Sequence, residues 1–201
     1  MARTQARGIQ RREEILQAAL ACFLEHGVDA TTIEQIRDRS GASIGSLYHH
    51  FGNKERIAAT LYLQGLRDFG ESLLARLSAA SDARAGVAAM VDSFIDWVLA
   101  NPDWARFLFT ARGQAVRGDV EEELKQANRA QAHALRAWLE PHIASGAIRR
   151  LPLELYRPLI SGPVQDYTRA WLAGRVTSPP ERFREEFVAA AWRAVGGDVA
   201  D

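Results

Sequence analysis

The chain has little of what would staple, anchor or electrostatically commit it. Cys22 is its only cysteine, so no internal disulfide is available, and that usage fits a reducing compartment. No apolar run approaches the roughly 18 residues that a membrane-spanning helix needs, so no membrane association is expected. Residues 1–12 carry Arg3, Arg7, Arg11 and Arg12 with no apolar block behind them. That is not the layout of a secretory signal, and a cytoplasmic protein is expected. Charge of one sign is missing too, because 25 Lys and Arg face 25 Asp and Glu. The balance gives no reason to expect a polyanionic partner. Alternating strand patterns, internal repeats and low-complexity segments are absent or scarce. Without a glycine-rich phosphate loop or a nucleophile elbow, the common nucleotide-binding and hydrolase patterns drop out.

What remains is helix. Ile15, Ala19, Cys22 and Phe23 recur at three- and four-residue steps, predicting a first helix from about Arg11 to His26 with Gly27 as its stop. Thr32 and Gln35 have the spacing of a capping box and open a short second helix that ends at Gly41. Ser43, a good N-cap, opens a third running to about His49. Asn53 caps a long fourth helix reaching about Ala79, interrupted in composition by Gly65 and Gly70, which read as flex points or as close-packing sites. Further helices are predicted over about 84–100, 103–112 and 119–144, the last with Glu121 to Glu123 in its first turn, where the dipole favours acids. Another starts at Pro152 and should be kinked or interrupted at Pro158 and Gly162-Pro163. Pro179-Pro180 opens the last, to about Val195. The fold class is all-α.

Two short helices joined by a glycine turn behind a longer one are what a helix-turn-helix needs. In the segment Ser43-Ile44-Gly45-Ser46-Leu47-Tyr48-His49-His50-Phe51, Leu47 and Phe51 lie four apart and can anchor one face, leaving the rest to point outward. The run Phe23, Gly27, Thr31, Thr32, Ile36, Gly41, Ser43, Gly45, Leu47, Tyr48, Phe51 and Lys54 resembles, without a gap, the DNA-binding signature of the TetR family of transcriptional regulators. Two positions depart from it: Arg37 stands where a small alanine is usual, and Ala42 where valine is usual. The resemblance in motif covers about a quarter of the chain.

The resemblance implies a helix-turn-helix DNA-binding domain with a basic arm over 1–56 and a larger helical ligand-binding and dimerisation domain over 57–201. It implies a homodimer, paired through about 153–195, on a pseudo-palindromic double-stranded operator. A small-molecule effector would change the relative angle of the two DNA-binding domains and release the operator. Ser43, Ile44, Gly45 and Ser46 would lie at the groove floor, with Ile44 against a thymine methyl. Tyr48, His49, Lys54 and Thr32 would hold phosphates, Glu34 stands where relatives reach a base, and Arg37 is either a further phosphate contact or a solvated charge.

The remaining features are read on their own chemistry. His49 and His50 are adjacent on a helix, point apart and have no third ligand nearby, so no metal site is expected. His133 and His142 fall on roughly opposite helix faces, which argues against a catalytic pair. Cys22 reads as a small buried hydrophobe. No cofactor and no catalytic residue are expected. Of the aromatics only Phe23, Tyr48 and Phe51 precede residue 57, and all five tryptophans lie beyond it. Phe94, Trp97, Phe107, Trp138 and Tyr167 are the candidate lining of an effector pocket. Two rival readings are an enzyme built on the aromatic second domain and a nonspecific nucleic-acid binder. The first lacks a paired acid and base. The second lacks surplus charge, since residues 1–56 hold eight basic and seven acidic side chains.

Overall fold

The computed structural model describes residues 2–115 and 119–197, with side chains from residue 6 to 115 and 121 to 197. The side chain of Arg3, part of the basic arm, lies outside the described residues. The helices are α1 (Ala2–His26), α2 (Ile33–Ser40), α3 (Ile44–Phe51), α4 (Lys54–Ser78), α5 (Ala83–Ala100), α6 (Pro102–Thr110), α7 (Arg112–Ala115), α8 (Asp119–Ala144), α9 (Leu153–Leu172) and α10 (Arg184–Val195). A 3-10 turn, Pro180–Phe183, precedes α10. Among the described residues the only extended pairing is an isolated bridge between Ile148 and Gly196.

Local chemistry sets most boundaries. The Thr32–Gln35 capping box forms in both directions, at 3.2 and 2.8 Å, and opens α2. Gly41 closes α2 in the left-handed region at φ 63°, a conformation that costs a glycine nothing. The Ser43 hydroxyl accepts from the Ser46 N–H at 3.1 Å and opens α3. The Asn53 side chain accepts from the Arg56 N–H at 2.7 Å and opens α4.

Two predicted boundaries move. The first helix begins at Ala2 rather than near Arg11. Ala6, Arg7 and Gln10 are good helix formers, only Gly8 is weak, and Glu14 reaches back to Gln10 and Arg11 at 3.1 and 2.8 Å. The interruption expected at Pro158 and Pro163 does not occur, and α9 runs unbroken from Leu153 to Leu172. Tyr156, Ile160, Val164 and Thr168 repeat every fourth residue and are buried. That stripe packs on α5 and α10, and tertiary packing overrides the two missing N–H bonds.

Packing divides the chain elsewhere than at residue 56. One compact unit is Met1–Leu66 with Asp103–Leu124, and the other is Arg67–Pro102 with Lys125–Asp201. The reason lies in the core of the first unit. Ile15, Leu16, Phe23, Ile36, Leu47, Phe51, Ile57 and Leu61 form one buried cluster, and Phe107 belongs to it with Trp104 and Leu108 packed alongside. The rings of Phe23 and Phe107 stack with centroids 5.9 Å apart. The second unit is built on α5, α9 and α10, around Val87, Val91, Phe94, Ile95, Tyr156, Ile160 and Val195.

Candidate nucleic-acid interface and ligand cavity

Helix α3 is amphipathic in the way a groove-reading helix must be. Leu47 is 1% exposed and Phe51 9%, both facing the first unit's core, while Ile44 is 38% and Tyr48 54% exposed. Ser43, Gly45 and His49 are in solvent and Ser46 is half-buried. Ile44 and Tyr48 stand four residues apart and so share one exposed face of the helix. A methyl on Gly45 would have only the Ser43 hydroxyl near it, at 3.9 Å, so the fold does not require a glycine there. Phe51 is further held under the Arg12 guanidinium, 5.4 Å from its ring centre.

Thr31 and Thr32 separate into different jobs. Thr31 is buried, and its hydroxyl lies 2.7 Å from the Gly27 carbonyl and 3.2 Å from that of Cys22, which locks the turn after α1. Thr32 is exposed at the start of α2 with its hydroxyl engaged by the cap. Lys54, named from the sequence as a phosphate ligand, has two of its three ammonium donors engaged within the chain. Its ammonium donates to the carbonyls of Asp29 and Thr31, each at 2.7 Å, and so ties α4 to the loop before α2. Arg37 sets its guanidinium on the neighbouring Asp38, at 2.6 and 2.7 Å, as a surface pair. Glu34 is exposed in the first turn of α2.

Other arginines of this unit are paired as well. Arg39 reaches from α2 to Glu25 of α1 at 2.7 Å, and its hydrogen bond holds the Glu25 carboxyl below the usual range. Arg56 pairs with Glu123 at 3.2 Å. Such exposed pairs contribute little to stability and exchange readily for another anion. Burial pushes the Cys22 thiol upward against the nearby Arg39, so it stays protonated and unreactive. Among the described residues no cluster of His, Cys, Asp and Glu is placed to hold a metal ion.

A cavity of about 690 Å³ opens in the second unit. Its apolar wall is Phe69, Leu73 and Leu77 of α4, Met90 of α5, and Leu135 and Leu139 of α8; Arg129, His133, Arg157 and Gln165 are among its polar lining. None of the five aromatics named from the sequence lines it. Phe94 and Trp97 form the layer behind, meeting Phe69 edge-on at 5.9 and 5.7 Å, and the Trp97 indole N–H donates to Asp68 at 2.6 Å. Phe107 is 1% exposed in the core of the other unit. Trp138 lies directly on Gly86 and meets the His142 ring at a tilt, with centroids 4.6 Å apart. Tyr167 packs on Phe183 and Phe187, and its hydroxyl donates to the Ser178 carbonyl at 2.9 Å. Aromatic rings bury so much surface that in a helical core they fill the interior first. The wall was marked instead by a quieter signal, leucines at four-residue steps on α4 and α8.

The chain's resemblances bear on both features. Residues 15–61 match the model of bacterial regulatory proteins of the tetR family. A segment of 73 residues is 41% identical to the HTH-type transcriptional repressor KstR2 of Mycolicibacterium smegmatis, covering 36% of this chain and 34% of that one. The chain spans about a third of the length of the repressors it matches. Over nearly the whole length the likeness is one of fold. A TetR family transcription regulator from Marinobacter aquaeolei superposes with a TM-score of 0.81 at 22% identity, covering 96% of this chain and 99% of that one. The transcriptional regulator FadR of Bacillus subtilis, solved in complex with stearoyl-CoA, superposes with a TM-score of 0.73 at 19% identity, covering 89% and 96%. No helix among the described residues is long and apolar enough to cross a membrane. Residues 15–61 thus carry the helix-turn-helix region of the tetR family of bacterial regulatory proteins, and over nearly its whole length the chain shares the fold of a solved regulator of that family.

Proposed function

We propose that the chain is a transcriptional repressor that binds a pseudo-palindromic operator as a homodimer and leaves it when a small molecule fills the second unit's cavity. The observation that carries this is α3, a capped helix that buries Leu47 and Phe51 and leaves Ile44 and Tyr48 in solvent. Ile44 is suited to a thymine methyl, Gly45 to close backbone approach, and Tyr48, His49 and Thr32 to phosphates. Lys54 acts one step back, by holding the loop that presents Thr32. Arg37 becomes a phosphate ligand only by exchanging Asp38 for the backbone. The cavity supports the regulated half of the reading, since its volume falls within the roughly 300–1,000 Å³ of small-molecule sites. That a regulator of the same fold was solved with stearoyl-CoA supports it further. The ligand acts by binding the DNA-incompetent conformer more tightly than the competent one. The cytoplasm is the matching compartment, and no catalytic role is assigned.

The test is selection of duplexes from a random pool by the full-length protein, followed by affinity and thermal unfolding of three variants. A two-fold symmetric site should be enriched. Tyr48→Phe should weaken binding to it severalfold and Gly45→Ala about tenfold, with the melting temperature unchanged. Lys54→Ala should instead lower stability, by about 1–3 kcal/mol for two charge-assisted bonds to backbone carbonyls. Failure to enrich any sequence, or α3 variants that bind as wild type, overturns the reading.

A further inference from the structure

We propose that the cavity receives an uncharged, largely aliphatic molecule carrying a hydroxyl or carbonyl group that Ser161 and Gln165 of α9 bind. This rests on the reading above only in treating the occupant as the effector. Three observations carry it. The first is the wall, which Leu73 and Leu77 of α4, Met90 of α5, and Leu135 and Leu139 of α8 make aliphatic. Leu77, Met90 and Leu139 are buried, at 3%, 5% and 1% exposure. Laying a charged group against such side chains costs far more than laying a neutral one there. From Phe69 to Leu77 the wall follows α4 for about 12 Å of helix, a run suited to an alkyl chain.

The second observation is the balance of charge. Arg136 is paired with Glu140 at 2.7 Å, and Arg129 is engaged within the chain. Apart from the exposed imidazole of His133, the charges left in the lining are Glu154 and Arg157. Both are exposed, they are opposite in sign, and they lie one turn apart on α9. A carboxylate drawn to Arg157 meets Glu154 beside it, and an ammonium drawn to Glu154 meets Arg157. Neither sign of ligand gains from that pair. The third observation is what the cavity offers in place of charge. Ser161 and Gln165 lie four apart on α9 and share the face that lines it. Both are half-buried, and neither side chain has a hydrogen bond among the described residues. A hydroxyl and a primary amide each donate and accept. An apolar occupant that expelled their water would leave both unmet, whereas a ligand hydroxyl or carbonyl restores the bonds.

The experiment is calorimetric titration of the full-length protein, without DNA, at pH 8. The probes are 1-decanol, 2-decanone, decanoate and decyltrimethylammonium, each below its aggregation limit. The better of the two neutral probes should bind about tenfold more tightly than either ion. Which of the two it is separates a hydroxyl from a carbonyl ligand, and either supports the proposal. Ser161→Ala combined with Gln165→Leu should weaken that probe about tenfold, the scale of two neutral hydrogen bonds. The double change also makes the wall more apolar, so a cavity that bound by apolar contact alone would hold the probe as well or better. Glu154→Gln and Arg157→Gln should shift decanoate in opposite directions and leave the neutral probe unchanged. Thermal unfolding without ligand should show the variants folded as wild type. The comparison of heads uses the wild type alone, so it decides the matter of charge even if a variant unfolds. Binding of either ion as tight as that of the neutral probes overturns the proposal, as does no binding of either neutral probe. So does a neutral affinity undiminished by the double change or one that follows the charges at Glu154 and Arg157. Because no DNA is present, such a failure leaves the operator-binding reading standing.

Discussion

A methyl group placed on Gly65 would lie 2.8 Å from Cε3 of Trp104, while one on Gly70 would fall on the side-chain amide of Gln131. Both glycines are therefore close-packing sites, the second of the two roles open to them from sequence. The neighbours differ in how far they can yield. Trp104 is packed against the first unit's core and cannot swing away, so Gly65→Ala should destabilise by about 1–3 kcal/mol through overpacking. What Gly70 meets is the far end of the flexible Gln131 side chain at the cavity wall, so Gly70→Ala should cost less than Gly65→Ala, offset by up to about 1 kcal/mol of helix propensity. Urea unfolding of the two single variants checks this, and equal shifts in midpoint would count against it. Residue-scale contacts of this kind are hidden from a sequence. Nothing in the spacing of Gly86 and Trp138 says that an indole lies on a helical glycine, or that Lys54 turns inward to two carbonyls.

Elements were more legible, because what begins and ends a helix is local. Thr32, Gln35, Gly41, Ser43 and Asn53 act on backbone groups within a few residues, and each caps where its chemistry says it should. Pro158 and Pro163 misled for the converse reason: their local cost is outweighed by the buried stripe of α9, a tertiary fact. The same distinction applies to how α10 is held. Arg184 donates to Asp92 at 2.9 Å and to Asp96, and Arg76 of α4 also reaches Asp96, at 2.7 Å. Burial pushes the Asp96 carboxyl upward, but the hydrogen bonds and charges of Arg184 and Arg76 outweigh it and hold the group below the usual carboxylate range. A carboxyl depressed on folding stabilises fully above its unfolded value, about 3.9, and loses that contribution as pH falls through the folded value. Arg184→Ala should thus destabilise on the order of 1 kcal/mol at pH 7, since the groups are partly exposed. The gap to wild type should narrow below about pH 4. Denaturant midpoints at pH 7, 5 and 3.5 test it, and a gap constant with pH would assign the lock to packing alone.

At the scale of the whole molecule, the all-helical class and the placing of α3, the helix proposed to read DNA, could be read from sequence, whereas the division into compact units could not. The proposed dimer is tested by truncation after Gly174, which removes the Pro180–Phe183 turn and α10. The loss uncovers the Tyr167 ring and the α5 face that α10 covers, and it takes away Arg184. The truncated chain should sediment as a monomer or aggregate and retain no operator affinity. A truncated chain still dimeric on DNA would place the subunit interface elsewhere. The make-up of the first unit has a different consequence, for recombination. Its core needs Phe107, Trp104 and Leu108 from a stretch that follows the first 66 residues only after a long excursion of chain. A chimera with one breakpoint after α3 or midway along α4 would strand Phe23 without the ring that stacks on it, unless the recipient supplies its own. What travels as a folded first unit is a matched pair of segments, so viable hybrids should keep both from the same parent.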